Sequence, residues 1–275
     1  MTTDLPEQPL DRFDRIWTGW DEQVPPPDRV APRREDRARF LGALRRAVEQ
    51  APVARVLEVG CGSAIDLCLL AEGTGPARLV GVDISGAAIG VARRFAQLLH
   101  APIGLTRADG AQLPFRDRTF GLVYSQGLIE HFVEPRPALS EQVRVLAPRG
   151  RLVVNVPQAW AGYTLWKHLA IRRGRWPWGW EGQFTARRLL DLGRGLALQP
   201  LEVFGYQYWR SWGEPAWVLR DLWGKFQRRN PLAPAFPFPQ VTRLYDGAWS
   251  WLERRYGHLF LQNLVVVFEK LGEPA

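Results

Sequence analysis

Val56-Leu57-Glu58-Val59-Gly60-Cys61-Gly62-Ser63-Ala64 joins an apolar run, an acid and two glycines one residue apart. Arg55–Val59 has the unbroken Val/Leu character of a buried strand, and Ala64–Glu72 carries a helical pattern. The glycines therefore fall at a strand-to-helix turn. There they allow a sharp bend and leave main-chain N–H groups open to a ligand at a helix N-terminus. A dinucleotide turn, G-x-G-x-x-G, needs a small residue at position 65; Ile65 stands there and counts against NAD. Glu58, two residues before Gly60, suits a ligand that carries an ammonium group.

The same alternation continues outward. Arg78–Asp83, Ile103–Thr106, Phe120–Ser125 and Arg151–Val156 read as further strands, separated by helical patterns at Gly86–Leu99 and Pro137–Leu146. Strands without polar alternation, each followed by a helix, imply a parallel sheet covered on both faces. In such a doubly wound α/β fold the ligand lies at the carboxyl ends of the strands. Asp83 closes the second strand, placed to accept both hydroxyls of a ribose, and Ile84 is placed to pack on an adenine face. Asp109-Gly110, after the third strand, would receive the adenine amino group or simply form a turn.

In this order the pieces resemble the class I S-adenosylmethionine-dependent methyltransferases, in particular the subgroup of the ubiquinone and menaquinone methyltransferases. The likeness runs from about residue 50 to 157. It continues through Leu113-Pro114-Phe115, Thr119–Val123, Ser125–Phe132, Glu141, Arg144–Gly150 and Asn155-Val156-Pro157. It implies a Rossmann-like seven-stranded sheet, mostly parallel with its last strand antiparallel. It also implies S-adenosylmethionine held by Glu58, Gly60, Cys61, Gly62, Asp83, Ile84, Asp109, Gly110 and the backbone near Ser125. Three positions depart from the family pattern: Ala64 stands for the third glycine of the loop, Gly121 for an aspartate, and Arg149 for a turn glycine.

Methyl transfer from a sulfonium is an in-line displacement that needs alignment, desolvation and, for some acceptors, proton removal. His131 is the candidate acid or base, because histidine titrates near neutral pH and the loop after the fourth strand faces the methyl group. Its alternative role is to order that loop. Tyr163, Glu181 and Tyr206 are weaker candidates. Nucleic acid is disfavoured as acceptor: Ser125-Gln126-Gly127-Leu128 is not an Asn-Pro-Pro-Tyr-like loop, and neither cysteine is placed as a nucleophile for cytosine. No metal-ligand spacing occurs.

Outside the sheet the composition changes. Of the 13 tryptophans, Trp17 and Trp20 precede the first strand and the other eleven lie between Trp160 and Trp251. This divides the chain into a helical cap segment at 1–50, the cofactor-binding core at 51–157, and a remainder at 158–275. The remainder completes the sheet with Leu198–Phe204 and Leu259–Lys270, and carries Trp-rich cap insertions at about 158–183 and 207–258. Thr185 is placed to N-cap a helix through Leu192. Trp17, Trp20, Tyr163 and Tyr206 are the candidate acceptor-binding residues, and the aromatic content favours a small, hydrophobic or lipid-like acceptor. In 216–229, Val218, Leu219, Leu222, Trp223 and Phe226 share one helical face opposite Arg220, Asp221, Lys225 and Arg229. That pattern fits either an anionic membrane surface or a helix packed on its own domain.

The net charge is +8, and 33 of the 36 basic residues are arginine. That excess fits an anionic partner or a plain preference for arginine. Cys61 and Cys68, two helical turns or roughly 10 Å apart, are too distant for a disulfide, and they fit a reducing compartment. The N-terminus has neither a basic start nor an apolar run, and the longest apolar stretch is far short of a membrane span. A cytoplasmic protein with at most peripheral membrane contact is expected. The competing reading, a methyltransferase-like protein that only binds a ligand or partner, is disfavoured by the presence together of Glu58, Gly60, Gly62, Asp83 and Asp109.

Overall fold

In the computed structural model, residues 10–19, 37–75, 77–206 and 239–272 are described. Trp20 and the 207–238 stretch, with the 216–229 pattern, lie outside them. The strands are β1 (Arg55–Val59), β2 (Arg78–Asp83), β3 (Ile103–Arg107), β4 (Phe120–Gln126), β5 (Leu146–Pro157), β6 (Leu198–Tyr206) and β7 (Asn263–Lys270). They form one sheet in the order β3-β2-β1-β4-β5-β7-β6. Pairings from β3 to β5 are parallel, and β7 runs antiparallel to both β5 and β6. The Rossmann-like doubly wound sheet with an antiparallel last strand is thus as expected.

Why these runs become central strands is visible in their burial. Val56–Val59 and Phe120–Ser125 are buried throughout, because helices cover both faces. The helices are α1 (Leu10–Thr18), α2 (Ala38–Glu49), α3 (Ile65–Ala71), α4 (Gly86–Leu98), α5 (Arg136–Val145), α6 (Gly162–Arg172), α7 (Ala186–Arg194) and α8 (Pro239–Phe260). On one face Phe40, Leu44, Leu67, Ile89 and Phe95 pack against Val56, Leu122 and Tyr124. On the other, Leu139 and Leu189 pack with Leu57, Val123, Leu152 and Val266. Each such side chain contributes about 1.5–3 kcal/mol when withdrawn from water. The Thr185 hydroxyl accepts from the Arg188 N–H at 3.3 Å and caps α7.

Three of the differences from the sequence reading bear on the core and the site. Residues 38–49, assigned there to the cap segment, form α2, whose Phe40, Leu41 and Leu44 are buried in the sheet core. The closing strand starts at Asn263 rather than Leu259, since helix α8 continues to Phe260. Tyr206, expected at the acceptor site, is a core residue. It is fully buried, stacks on Phe40 at 5.6 Å and accepts a 2.8 Å hydrogen bond from Asn155 Nδ2. The β-strand alternation at the end of β6 turns its ring inward toward α2 rather than over the sheet edge.

Candidate active site

The strand order reverses between β1 and β4, and a cavity of about 840 Å³ opens at the carboxyl ends of these strands. Its floor is the glycine turn. Gly60 and Gly62 have φ of +70° and +50°, and a Cβ at either would lie 2.7 Å from Leu128 Cδ1 or 2.6 Å from the Trp17 ring. A side chain fits at neither position. The Cys61 N–H donates to the Val82 carbonyl at 2.9 Å, tying the turn to the end of β2. Asp83 braces it from there: its carboxylate accepts from Gly62 N–H at 2.8 Å and Ser85 N–H at 2.9 Å. Burial pushes the Asp83 carboxyl up, against the pull of those two donors.

Glu58 lies beneath the turn, fully buried. Its Oε2 has no hydrogen-bond partner among the described residues. Burial, then the charge of Asp66, holds this carboxyl well above the usual range. Asp66 itself is ion-paired with Arg37, and both line the cavity. A buried carboxyl with one oxygen unpartnered among the described residues and a glycine cradle fit a ligand that brings an ammonium group beside exposed backbone. Ile84, Cys61 and Gly110 line the same wall, as does Asp109, whose carboxylate also accepts from the Ala111 N–H at 2.8 Å. Ser125 does not line the cavity; the backbone that does begins at Gln126, Gly127 and Leu128, one residue further along.

The roof and far wall come from α1, from the turn after β4 and from 162–181. Asp14 on α1 accepts from Ser85 Oγ at 2.6 Å and from Ala87 N–H at 3.3 Å, which clamps α1 to the start of α4. Trp17 then lies over Gly62, and Phe13 meets the His131 ring edge-on at 5.4 Å. Trp178 packs 6.0 Å from Trp17 and 6.3 Å from His131. His131 is half-buried among these rings, and that withdrawal from water lowers its pKa from the ordinary imidazole value, so the ring is neutral at pH 7. The backbone of Trp180 accepts from the ring, while Nδ1 has no partner among the described residues.

Tyr163 completes this wall together with a buried group that the sequence reading only partly found. Glu181 accepts from Lys167 Nζ through one oxygen and from Trp176 Nε1 at 2.5 Å through the other. Lys167 is the one lysine in an otherwise apolar stretch of α6, and that anomaly was the available signal. Glu130, next to His131, was noticed only as part of a motif. Phe13, Trp176 and Trp178 were not singled out, since aromatic residues near a cap are common in sequence and only the fold selects those that face the cavity.

Fold, glycine turn and acidic strand ends define a class I S-adenosylmethionine-dependent methyltransferase domain. Residues 57–154 match the family model described as a methyltransferase domain. The chain is 38% identical over 109 residues to the demethylmenaquinone methyltransferase of Thermus thermophilus, covering 39% of this chain and 49% of that protein. It spans about a third to a half of the length of the first curated relatives it matches. An S-adenosylmethionine-dependent methyltransferase from Thermotoga maritima shares the fold with a TM-score of 0.60 at 16% identity, covering 95% of this chain and 100% of that one. The geranyl diphosphate C-methyltransferase of Streptomyces coelicolor, solved with S-adenosylhomocysteine, gives 0.56 at 15% identity over 85% and 78%.

Proposed function

We propose that this protein transfers a methyl group from S-adenosylmethionine to a small, hydrophobic or lipid-like acceptor. One observation carries the reading: a single cavity joins the Glu58–Gly62 turn and Asp83 to an aromatic wall that includes His131. Glu58, Gly60, Cys61, Gly62, Asp83, Ile84, Asp109 and Gly110 would hold the cofactor, which supplies an already activated methyl group. Trp17, Trp178 and Tyr163 would hold the acceptor and exclude water from it. His131, neutral and with Nδ1 available, would take a proton from the acceptor where one must leave. Two buried cysteine thiols, with Cys68 pushed up to about 12 by burial, suit a reducing, cytoplasmic setting. The lipid-like acceptor is supported by α6 and the residues flanking it, which turn Tyr163 toward the cavity and expose Trp160, Leu165, Trp166 and Leu169 together with Arg172, Arg173 and Arg175. An anionic membrane surface matches that face.

Titration calorimetry tests the cofactor assignment. S-adenosylhomocysteine is expected to bind and NAD is not; the opposite result would overturn it. Turnover of methyl-labelled cofactor against apolar acceptors separates an enzyme from a protein that only binds.

A further inference from the structure

Glu130, Glu181 and Lys167 place two carboxyl groups and one ammonium group together out of water; all three are at most 6% exposed. Full ionisation would leave one net negative charge buried without a counter-ion, which is costly, and a proton on one carboxyl removes that cost. The hydrogen bonds decide which one. Glu181 receives the ammonium of Lys167 on one oxygen and the indole N–H of Trp176 on the other, and both favour its ionised form. Glu130 Oε2 finds no partner among the described residues, although Glu130 lines the cavity. The proton therefore resides on Glu130.

The groups facing it agree with this assignment. Burial, then Glu181, pushes the Glu130 carboxyl up to about 8, with Lys167 opposing. Tyr163 on α6 keeps its phenolic proton, raised by burial and then by Glu181 and Glu130, and His131 beside it is neutral. Among the described residues, no full positive charge faces Glu130 other than Lys167, which Glu181 already engages. At neutral pH the acceptor wall thus carries a hydrogen-bond donor at Glu130 and an acceptor at His131 Nδ1.

Resting on the methyltransferase reading above, we infer that the acceptor is an uncharged molecule bearing a hydroxyl group, with Glu130 donating to its oxygen and His131 Nδ1 accepting its hydrogen. Trp176, Trp178 and Phe13 would surround the apolar part. An ammonium-bearing acceptor is the opposite chemistry: it would need Glu130 ionised and would gain from aromatic rings around a cation.

A matched pair of probes, 2-phenylethanol and 2-phenylethylamine, distinguishes the two by calorimetry on protein saturated with S-adenosylhomocysteine. The alcohol is expected to bind the more tightly at about pH 7. It should weaken about fivefold by about pH 9.5, the worth of one hydrogen bond, as Glu130 loses its proton. Glu130→Gln keeps a donor, so it should hold the alcohol within a few-fold and remove the pH dependence. On protein saturated with S-adenosylhomocysteine, whose ammonium group ionises Glu58, the infrared difference between the unaltered protein and this variant at neutral pH should show one protonated-carboxyl band. Tighter binding of the amine, tightening further as pH rises and lost in Glu130→Gln, would overturn the inference. So would the absence of binding by either probe while S-adenosylhomocysteine still binds, or the absence of the infrared band. The pH series on the unaltered protein gives the answer even if the variant fails to fold. Loss of S-adenosylhomocysteine binding by the unaltered protein strikes at the methyltransferase reading instead.

Discussion

A buried carboxyl group whose neighbouring cation is already engaged holds its proton until something positive arrives, and Glu58 is in that position, since Arg37 is paired with Asp66. Its raised pKa means that the folded protein binds a proton that the unfolded chain releases near the ordinary carboxylate range. The sign follows from linkage: stability falls as pH rises from that range toward the raised value. An incoming ammonium group reverses the balance and expels the proton. Cofactor binding at neutral pH should therefore release a proton, seen as a calorimetric enthalpy that varies with buffer. Glu58→Gln should raise the melting temperature of the ligand-free protein at pH 8 and weaken cofactor binding by roughly 1.5–3 kcal/mol, the scale of a hydrogen bond to a charged group. A lowered melting temperature with unchanged affinity would remove Glu58 from the site.

Two residues that depart from the family pattern also find their reasons at this scale. A Cβ at Gly121 would lie 2.0 Å from the Val53 carbonyl oxygen, so the aspartate of the resembling family has no room here. Arg149, where a glycine is usual, sits at φ +61° and makes only a long 3.9 Å ion pair from an exposed side chain. A left-handed non-glycine residue costs about 1–2 kcal/mol, whereas glycine carries an entropic penalty of roughly 0.5–1 kcal/mol. Arg149→Gly is thus expected to be neutral or stabilising by up to about 1 kcal/mol in urea unfolding. A loss above about 1 kcal/mol would show that the ion pair matters more than such exposed pairs usually do.

Among the elements, β1, β2, β4 and β5 were legible in the sequence because buried parallel strands are Val/Leu-rich runs, whereas β3, at the sheet edge and largely unburied, was placed by its position in the alternation. The closing strand was legible in kind but not in its start. Leu259-Phe260-Leu261 is apolar throughout, and such a run has no period to separate a helix end from a strand. The cofactor residues at strand ends were readable for the same reason as the strands. The acceptor wall was not, because Phe13, Glu130, Lys167, Trp176 and Trp178 come from distant segments that only the fold brings together. Helix α1 is the clearest case. Nine residues are too few for a stable isolated helix, so tertiary contacts hold it in place. Asp14 provides one, and its pKa is lowered by the Ser85 hydroxyl and the backbone at the start of α4. Asp14→Ala removes a cap-like interaction worth about 0.5–2 kcal/mol and should loosen α1 over the glycine turn. Faster S-adenosylhomocysteine release in stopped flow is expected, with little change in association. Unchanged release would mean that Trp17 packing alone holds the helix down.

For the molecule as a whole, the question is what the arginine excess serves. Among the described residues no helix is long and apolar enough to cross a membrane. Helix α6 and the turn before it nevertheless expose Trp160 and Trp166 at 71% and 50%, with Leu165 and Leu169 between and beyond them. A contiguous apolar face of this kind marks an interaction surface. Arg172, Arg173 and Arg175 follow directly and are exposed. Indole rings and leucines entering the headgroup region, with arginines reaching lipid phosphates, would form an interfacial anchor. The opposite side of α6 carries Tyr163 and Lys167 toward the cavity wall, so a membrane-seated α6 would bring lipid close to the acceptor site. The protein should sediment with phosphatidylserine-containing vesicles and much less with phosphatidylcholine alone. Each arginine near the surface adds about 1 kcal/mol, a contribution that salt screens within a Debye length of about 8–10 Å. High salt should therefore release most of the bound protein. Trp166→Ser with Leu169→Ser should abolish sedimentation even at low salt while leaving S-adenosylhomocysteine affinity within a few-fold, since neither residue lines the cavity. If the double variant sediments as well as the unaltered protein, α6 is not the anchor. Equal retention on neutral and anionic vesicles would assign the arginines no part in it.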